Sequence, residues 1–314
     1  MDALASLLHE VRSEGALFGR TLVAPPWAIR VTDGVPLTLL TMLAGDAWVS
    51  PDGGEPVHVG EGEVAVVTGG TPFTVADQPG STTTPLYVMA APNACTSADG
   101  QPFDPTLEIG VRTYGARPDD PTALVMGSYQ VRGRVSQRLL SALPTVLTVP
   151  HAGDLCPVLE LTAAEIGRDE PGQQAVLDRL LDLLLLTTLR MWFTRPEACV
   201  PGWYRALGDP VVGPALRLVH DDPAAPWTVA ELAARAAVSR ATFARRFTEL
   251  VGEPPMAYLT SWRLSLAADL LTRTDATVEA VAHQVGYASA FALSVAFKRV
   301  HGTRPSDLRR PVAI

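Results

Sequence analysis

Two arginines, Arg240 and Arg245, follow Ser239 in the stretch SRATFARRFTEL. A guanidinium can meet guanine O6 and N7 with two parallel hydrogen bonds. To reach a base edge it must sit on backbone that approaches the groove closely, and Ala241 and Ala244 leave room for that approach. Phe243, Phe247 and Leu250 recur at helical spacing and therefore share an opposite, inward face. The chemistry on offer is recognition of duplex DNA.

The elements that must position these side chains surround them. TVAELAARA reads as a short helix started by Thr228, Ala236-Ala237-Val238 as a turn, and Ser239 as the cap of the next helix. The pattern then repeats. Thr228, Val229 and Ala233 recur as Thr277, Val278 and Ala282, an offset of 49, whereas Ser239, Phe247, Gly252 and Pro255 recur as Ser289, Phe297, Gly302 and Pro305, an offset of 50. One residue has entered the second turn. Behind Ser289 the second helix turns Leu293, Phe297 and Val300 inward and Ala290, Phe291, Ala292, Ser294 and Val295 outward. That outward face offers thymine methyls a contact but few hydrogen bonds. Lys298, Arg299, Arg304, Arg309 and Arg310 are candidates for phosphate contacts, which set position without reading sequence, or else belong to a solvated face. Helix–turn–helix spacing also arises in ordinary bundles, but two copies in register favour DNA.

These residues resemble the AraC/XylS transcriptional regulators over about Pro214 to Arg310. The family pattern stands here as Leu232-Ala233, Ser239, Phe243 to Phe247, Gly252, Pro255, Tyr258-Leu259, Arg263-Leu264 and Ala268 to Leu271, then Val281-Ala282, Gly286-Tyr287, Ser289, Phe297-Lys298, Gly302 and Pro305. The resemblance implies two helix–turn–helix units joined by a long helix, here about Met256–Thr272. Such a helix spans roughly 25 Å, which suits recognition helices in successive major grooves about 34 Å apart. Val295 and Leu293 depart from the family's usual Arg and Phe. Base reading is therefore expected mainly from Arg240 and Arg245.

The N-terminal half has another texture. From Trp27 to Ala91 short runs rich in Val, Leu and Thr are broken by Asp52-Gly53-Gly54, Gly60, Gly62 and Gly69-Gly70, which predicts a small β-barrel or sandwich. Ala91–Pro121, dense in Pro, Asp and Gly, reads as a long surface loop. Leu4, Leu7, Leu8 and Val11 predict an opening helix, with further helices at Val135–Leu143 and Gly172–Phe193. The spacings Gly34, Leu40, Met42, Asp46, Gly53 and Gly62, Thr68, Gly70, Phe73 resemble the two cupin motifs, specifically the cupin-like sensor domain ahead of some AraC-type units. Cupin metal enzymes carry His where Leu40, Met42 and Phe73 stand. Asp46 alone cannot hold a transition metal, and His58 and His151 read as structural, so neither a metal nor any other cofactor is expected. Trp27, Met42, Trp48, Phe73, Tyr87 and Met89 are the expected lining of an effector cavity, unless the core is simply filled.

Gln173–Phe193 is apolar nearly all round, so it needs two partners, and Leu177, Leu180, Leu181, Leu184 and Leu185 are the expected contacts with a second copy. Burial within one chain is the alternative. The expected division is 1–160 for the sensor, 161–208 for the dimerisation helix and linker, and 209–314 for DNA binding. As a fold class this is α+β, a cupin-like barrel with helices followed by an all-α domain.

The chain has 314 residues and a formal charge of −8, which alone argues against nucleic acid as a partner. Residues 210–314 nevertheless carry +3 against −11 for 1–209. Cys95, Cys156 and Cys199 are too widely spaced for a disulfide framework or a structural zinc site, and Cys95 has no neighbouring Cys or basic residue to activate it as a thiol sensor. No secretion signal or membrane span is read, so a cytoplasmic protein is expected. The expected function is a DNA-binding regulator of transcription, a homodimer that meets operator DNA, a possible small effector and, if it activates, RNA polymerase. A cupin-barrel enzyme with a helical accessory domain is the alternative.

Overall fold

The computed structural model describes residues 11–12, 18–32, 35–90, 94–131, 133–140, 142–150, 152–153, 155–195, 198 and 200–308. The expected opening helix falls largely outside them, as do Gly34, His151, Cys199, Arg309 and Arg310. Val11, the last residue of that reading, lies in a strand.

In chain order the strands are β1 (Val11–Arg12), β2 (Phe18–Val23), β3 (Ala28–Val31), β4 (Leu37–Ala44), β5 (Ala47–Pro51), β6 (Val57–Val59), β7 (Val64–Thr68) and β8 (Phe73–Ala76). There follow β9 (Val88–Ala90), β10 (Ala94–Thr96), β11 (Glu108–Gly110), β12 (Thr113–Gly115), β13 (Thr122–Val131) and β14 (Val146–Val149). They form two sheets. One runs β11-β12-β2-β13-β4-β7-β14 with β1 on the end of β13, the other β10-β9-β3-β8-β5-β6. Two open sheets of cupin jelly-roll type therefore replace the closed barrel. The stretch expected as loop between 91 and 121 supplies β10, β11 and β12 instead.

The strand β4, LTLLTMLA, explains how the helices must lie. Leu40 and Met42 point into the core between the sheets, while Leu37 and Leu39, on the other face, are equally inaccessible. A strand buried on both faces needs a cover outside the sheet. Helix α3 (Gln173–Phe193) gives it, with Tyr129 of β13 donating its hydroxyl to the Leu181 carbonyl at 2.7 Å. Leu177, Leu181, Leu184 and Leu185 are buried accordingly. Four of the five leucines expected at a subunit contact thus belong to this chain's own core. Among the described residues two α-helices precede α3. These are α1 (Arg134–Leu140), shorter than expected, and α2 (Leu155–Ile166), which packs along α3 and was not anticipated.

The chain divides into two compact bodies, and Leu143–Cys199 goes with the sandwich of Val11–Val131. The expected middle segment 161–208 is therefore not a separate element. Val200–Ile314 forms the other body, together with Arg132–Ala142, which the sequence reading assigned to the sensor. This body contains α4 (Gly202–Leu207), α5 (Val212–Asp221), α6 (Val229–Arg235), α7 (Arg240–Val251), α8 (Pro255–Arg273), α9 (Val278–Gln284) and α10 (Ala290–His301). Its helix starts are set by side chains. Thr228, Ser239, Thr277 and Ser289 each accept a backbone N–H from three residues on, and Thr228 with Glu231 completes a capping box.

Candidate functional site

In the first unit α6 packs on α7 through Leu232, Ala233, Phe243 and Phe247, all buried. Arg240, Ala241 and Arg245 are exposed and Ala244 is half-buried, so α7 presents the face expected of it. The turn between the helices carries Ala237 at φ +55°. Its counterpart in the second unit is Gly286 at φ +83°, where a Cβ would lie 2.7 Å from the Ala224 carbonyl oxygen. The left-handed turn is thus shared, and the alanine version is strained by about 1 kcal/mol. Ala237→Gly should raise unfolding free energy by about 0.5–1 kcal/mol, read by denaturant titration. An unchanged or lower midpoint would contradict the strained turn.

In the second unit Leu293 and Phe297 are buried, and Ser289, Ala290, Ala292 and Ser294 are half-buried on α10. Phe291 and Val295 are 79% and 56% exposed. Val300, expected inward, is instead exposed. His301 takes the inward place in the last turn, with its ring 4.5 Å from that of Phe297 and Nδ1 3.1 Å from Arg134 Nη1. Lys298, Arg299 and Arg304 are exposed and offer positive charge beside the recognition face.

Three polar ties hold the two units in place. Asp209 accepts from the backbone N–H groups of Val211 and Val212 at 2.9 Å, and from Arg246 of α7 at 2.6–3.1 Å. The Arg246 hydrogen bonds hold the Asp209 carboxyl down at about 2. Arg246 is therefore engaged where Arg245 faces solvent. Arg263, half-buried on α8, donates to the carbonyls of Pro223, Ala225 and Gly286, so it ties the loop before the first unit to the turn of the second. Asp269, also on α8, is buried and accepts from Arg134 N at 2.6 Å and Val135 N at 3.2 Å, capping α1. This third tie is invisible to a linear reading, because its partners are some 135 positions apart.

The sandwich places the cupin-motif positions in its buried core, with Leu40, Met42, Phe73 and Trp27 all buried there. Trp48, expected inward, faces outward against His58, since Ala47 and Val49 occupy the inward positions of β5. His58 pairs with Asp46 at 2.9 Å on the surface. Among the described residues no three His, Cys, Asp or Glu side chains converge as metal ligands would. A cavity of about 170 Å³ adjoins this core, lined by Gly19, Thr21, Tyr87, Met89, Cys95, Phe103, Tyr114 and Met126. Only Tyr87 and Met89 of the six expected side chains reach it. Phe103 and Tyr114, two aromatics in a segment otherwise full of Pro, Asp and Gly, were the signal that this segment packs. Burial pushes the Cys95 thiol up to about 11, which opposes the thiolate a redox sensor needs.

A cupin sandwich joined to two capped helix–turn–helix units defines a class of DNA-binding transcription regulators. Comparisons agree. A cupin family model matches residues 2–194 and a helix-turn-helix domain model residues 232–311. A Streptomyces lividans protein named as an AraC-like transcription regulator is 34% identical over 99% of this chain and 98% of its own length. The HTH-type transcriptional regulator AlkR of Acinetobacter baylyi is 26% identical over 99% of both chains. The solved DNA-binding domain of AdpA, a global transcriptional factor in complex with a target DNA, is 35% identical, covers 32% of this chain and 89% of its own, and superposes with a TM-score of 0.31. The chain belongs to the AraC-type transcriptional regulators with an N-terminal cupin domain. No helix among the described residues is long and apolar enough to cross a membrane.

Proposed function

We propose that this regulator binds specific operator sequences as a homodimer, reads bases chiefly through Arg240 and Arg245, and is not an enzyme. The observation that carries the reading is the pair of serine-capped helices, α7 and α10, each with an apolar face buried through Phe243 and Phe247 or Leu293 and Phe297, and with Arg240, Ala241 and Arg245 exposed on α7. Small residues allow close approach to the groove, and arginine supplies the hydrogen bonds that α10 lacks. Helix α8, about 28 Å long, suits recognition helices that enter successive grooves. Footprinting of the full-length protein on genomic fragments tests the reading. Protection of discrete sites, weakening steeply with salt, is expected. Folded protein that protects no site at low salt would end it. Which genes respond, and whether contact with RNA polymerase follows, would come from the mapped sites.

The dimer is proposed through a different face from the one the leucine run pointed to. Leu161 of α2 is 59% exposed, Val176 and Leu183 of α3 are each 45% exposed, and Leu180 is half-buried. Val176, Leu180 and Leu183 share one stripe at helical spacing. Changing both Val176 and Leu183 to Lys should give a folded monomer in sedimentation velocity, whereas Leu184→Lys, inside the core, should unfold the sandwich. A wild-type chain that sediments as a monomer at micromolar concentration would remove the claim.

A further inference from the structure

The cavity lies within the sandwich body, where Tyr87, Met89 and Met126 of its lining belong to the same buried core as the cupin-motif positions Leu40, Met42 and Phe73. Its lining is mostly apolar. Met89, Met126 and Phe103 give hydrocarbon and thioether surface, and Phe103 stands edge-on to both Tyr87 and Tyr114, with centroids 6.0 and 5.4 Å apart. Edge-to-face rings favour another ring over a flexible chain. One polar point is fixed inside. Thr21 Oγ1 and Tyr87 Oη are 2.8 Å apart and buried, so one hydroxyl proton is used between them and the other is left for a guest.

No lining side chain brings charge. Burial raises the pKa of Tyr87, Tyr114 and Cys95 alike, so the phenols and the thiol stay neutral at physiological pH. An ion entering would lose its water with no counter-charge to replace it. A dry apolar cavity of about 150 Å³ takes benzene, which sets the scale for a space of about 170 Å³.

From this lining we propose that the cavity binds a small neutral ring compound, of about one aromatic ring, whose single hydroxyl meets the Thr21–Tyr87 pair. The inference deepens the reading of the cupin half as a sensor and rests on it. It assigns the guest to a place built in part by the 94–115 segment, through Cys95, Phe103 and Tyr114, and it excludes carboxylates and sugars as a class, because the lining has neither the charge nor the several hydrogen-bond partners they need.

The test uses the full-length protein with phenol, toluene and benzoate as probes, by thermal shift and isothermal titration. Phenol and toluene should raise the melting temperature saturably, and benzoate at equal concentration should not. Thr21→Val should weaken phenol about fivefold and leave toluene within about twofold. Cys95→Phe, which fills the space, should abolish both while the far-ultraviolet spectrum stays native. If that variant does not fold, the smaller Cys95→Leu replaces it, with weakened binding of both expected. Benzoate binding as tightly as phenol, no binding of either ring by folded protein, or unchanged binding by the filled variant would each overturn the inference. The same preparation is footprinted on DNA. Protein that protects sites yet takes neither ring refutes the cavity proposal alone, and protein that takes both rings yet protects no DNA refutes the regulator reading alone.

Discussion

Arg245→Ala is expected to lower affinity for a defined operator by about 1–3 kcal/mol, roughly fivefold to 150-fold, and to relax preference at one base pair. The size follows from what is removed. A guanidinium on an exposed helix face can make two hydrogen bonds to one guanine, and the adjacent Arg246 is occupied by Asp209. Val295→Ala on α10 removes only methyl groups from an exposed position and should change affinity by less than about threefold. Lys298→Ala should weaken all sequences alike and reduce the salt slope by about 1. Binding titrations on the operator and on single-base variants decide this, and a larger loss from Val295→Ala than from Arg245→Ala would reverse the assignment of readout between the units.

The second large effect concerns Asp269, whose carboxylate caps α1 within the DNA-binding body. Asp269→Ala leaves the N–H groups of Arg134 and Val135 without their acceptor, and Val135 is 3% exposed. A buried donor deprived of its partner costs about 1–3 kcal/mol, and a lost N-cap is of similar size. The body should lose about 2 kcal/mol, with amides of Arg134–Leu140 exchanging first in hydrogen–deuterium exchange. Gly133→Ala should act at the same place, because Gly133 sits at φ +88° and a Cβ there would lie 2.8 Å from Asp269 Oδ2. Wild-type exchange rates in α1 of the Asp269→Ala protein would disprove the tie. In the chain this segment lies between β13 and β14, yet it belongs to the DNA-binding body.

The sequence by itself determined the two helix–turn–helix units, down to Ser239 and Ser289 as caps and Phe243, Phe247, Leu293 and Phe297 as the inward face. Caps and helical periodicity act over three or four residues, so a linear reading captures them. Short Val- and Thr-rich runs between glycines likewise marked the strand-rich half, and the resemblance to the cupin motifs showed apolar Leu40, Met42 and Phe73 standing where cupin metal enzymes carry His. What the tertiary structure decided lay in contacts between distant residues. Leu177, Leu181, Leu184 and Leu185 were equally good at covering a sheet or a second subunit, and only β4, apolar on both faces, assigns them to the sheet. Tyr114 became a cavity wall because β12 pairs with β2, far from it in sequence, and Phe103 packs edge-on against that tyrosine. Val300 yielded its inward place to His301 because Arg134 meets that histidine across 167 positions. Periodicity shows which side chains must be hidden; what hides them depends on elements that periodicity within one segment does not reach.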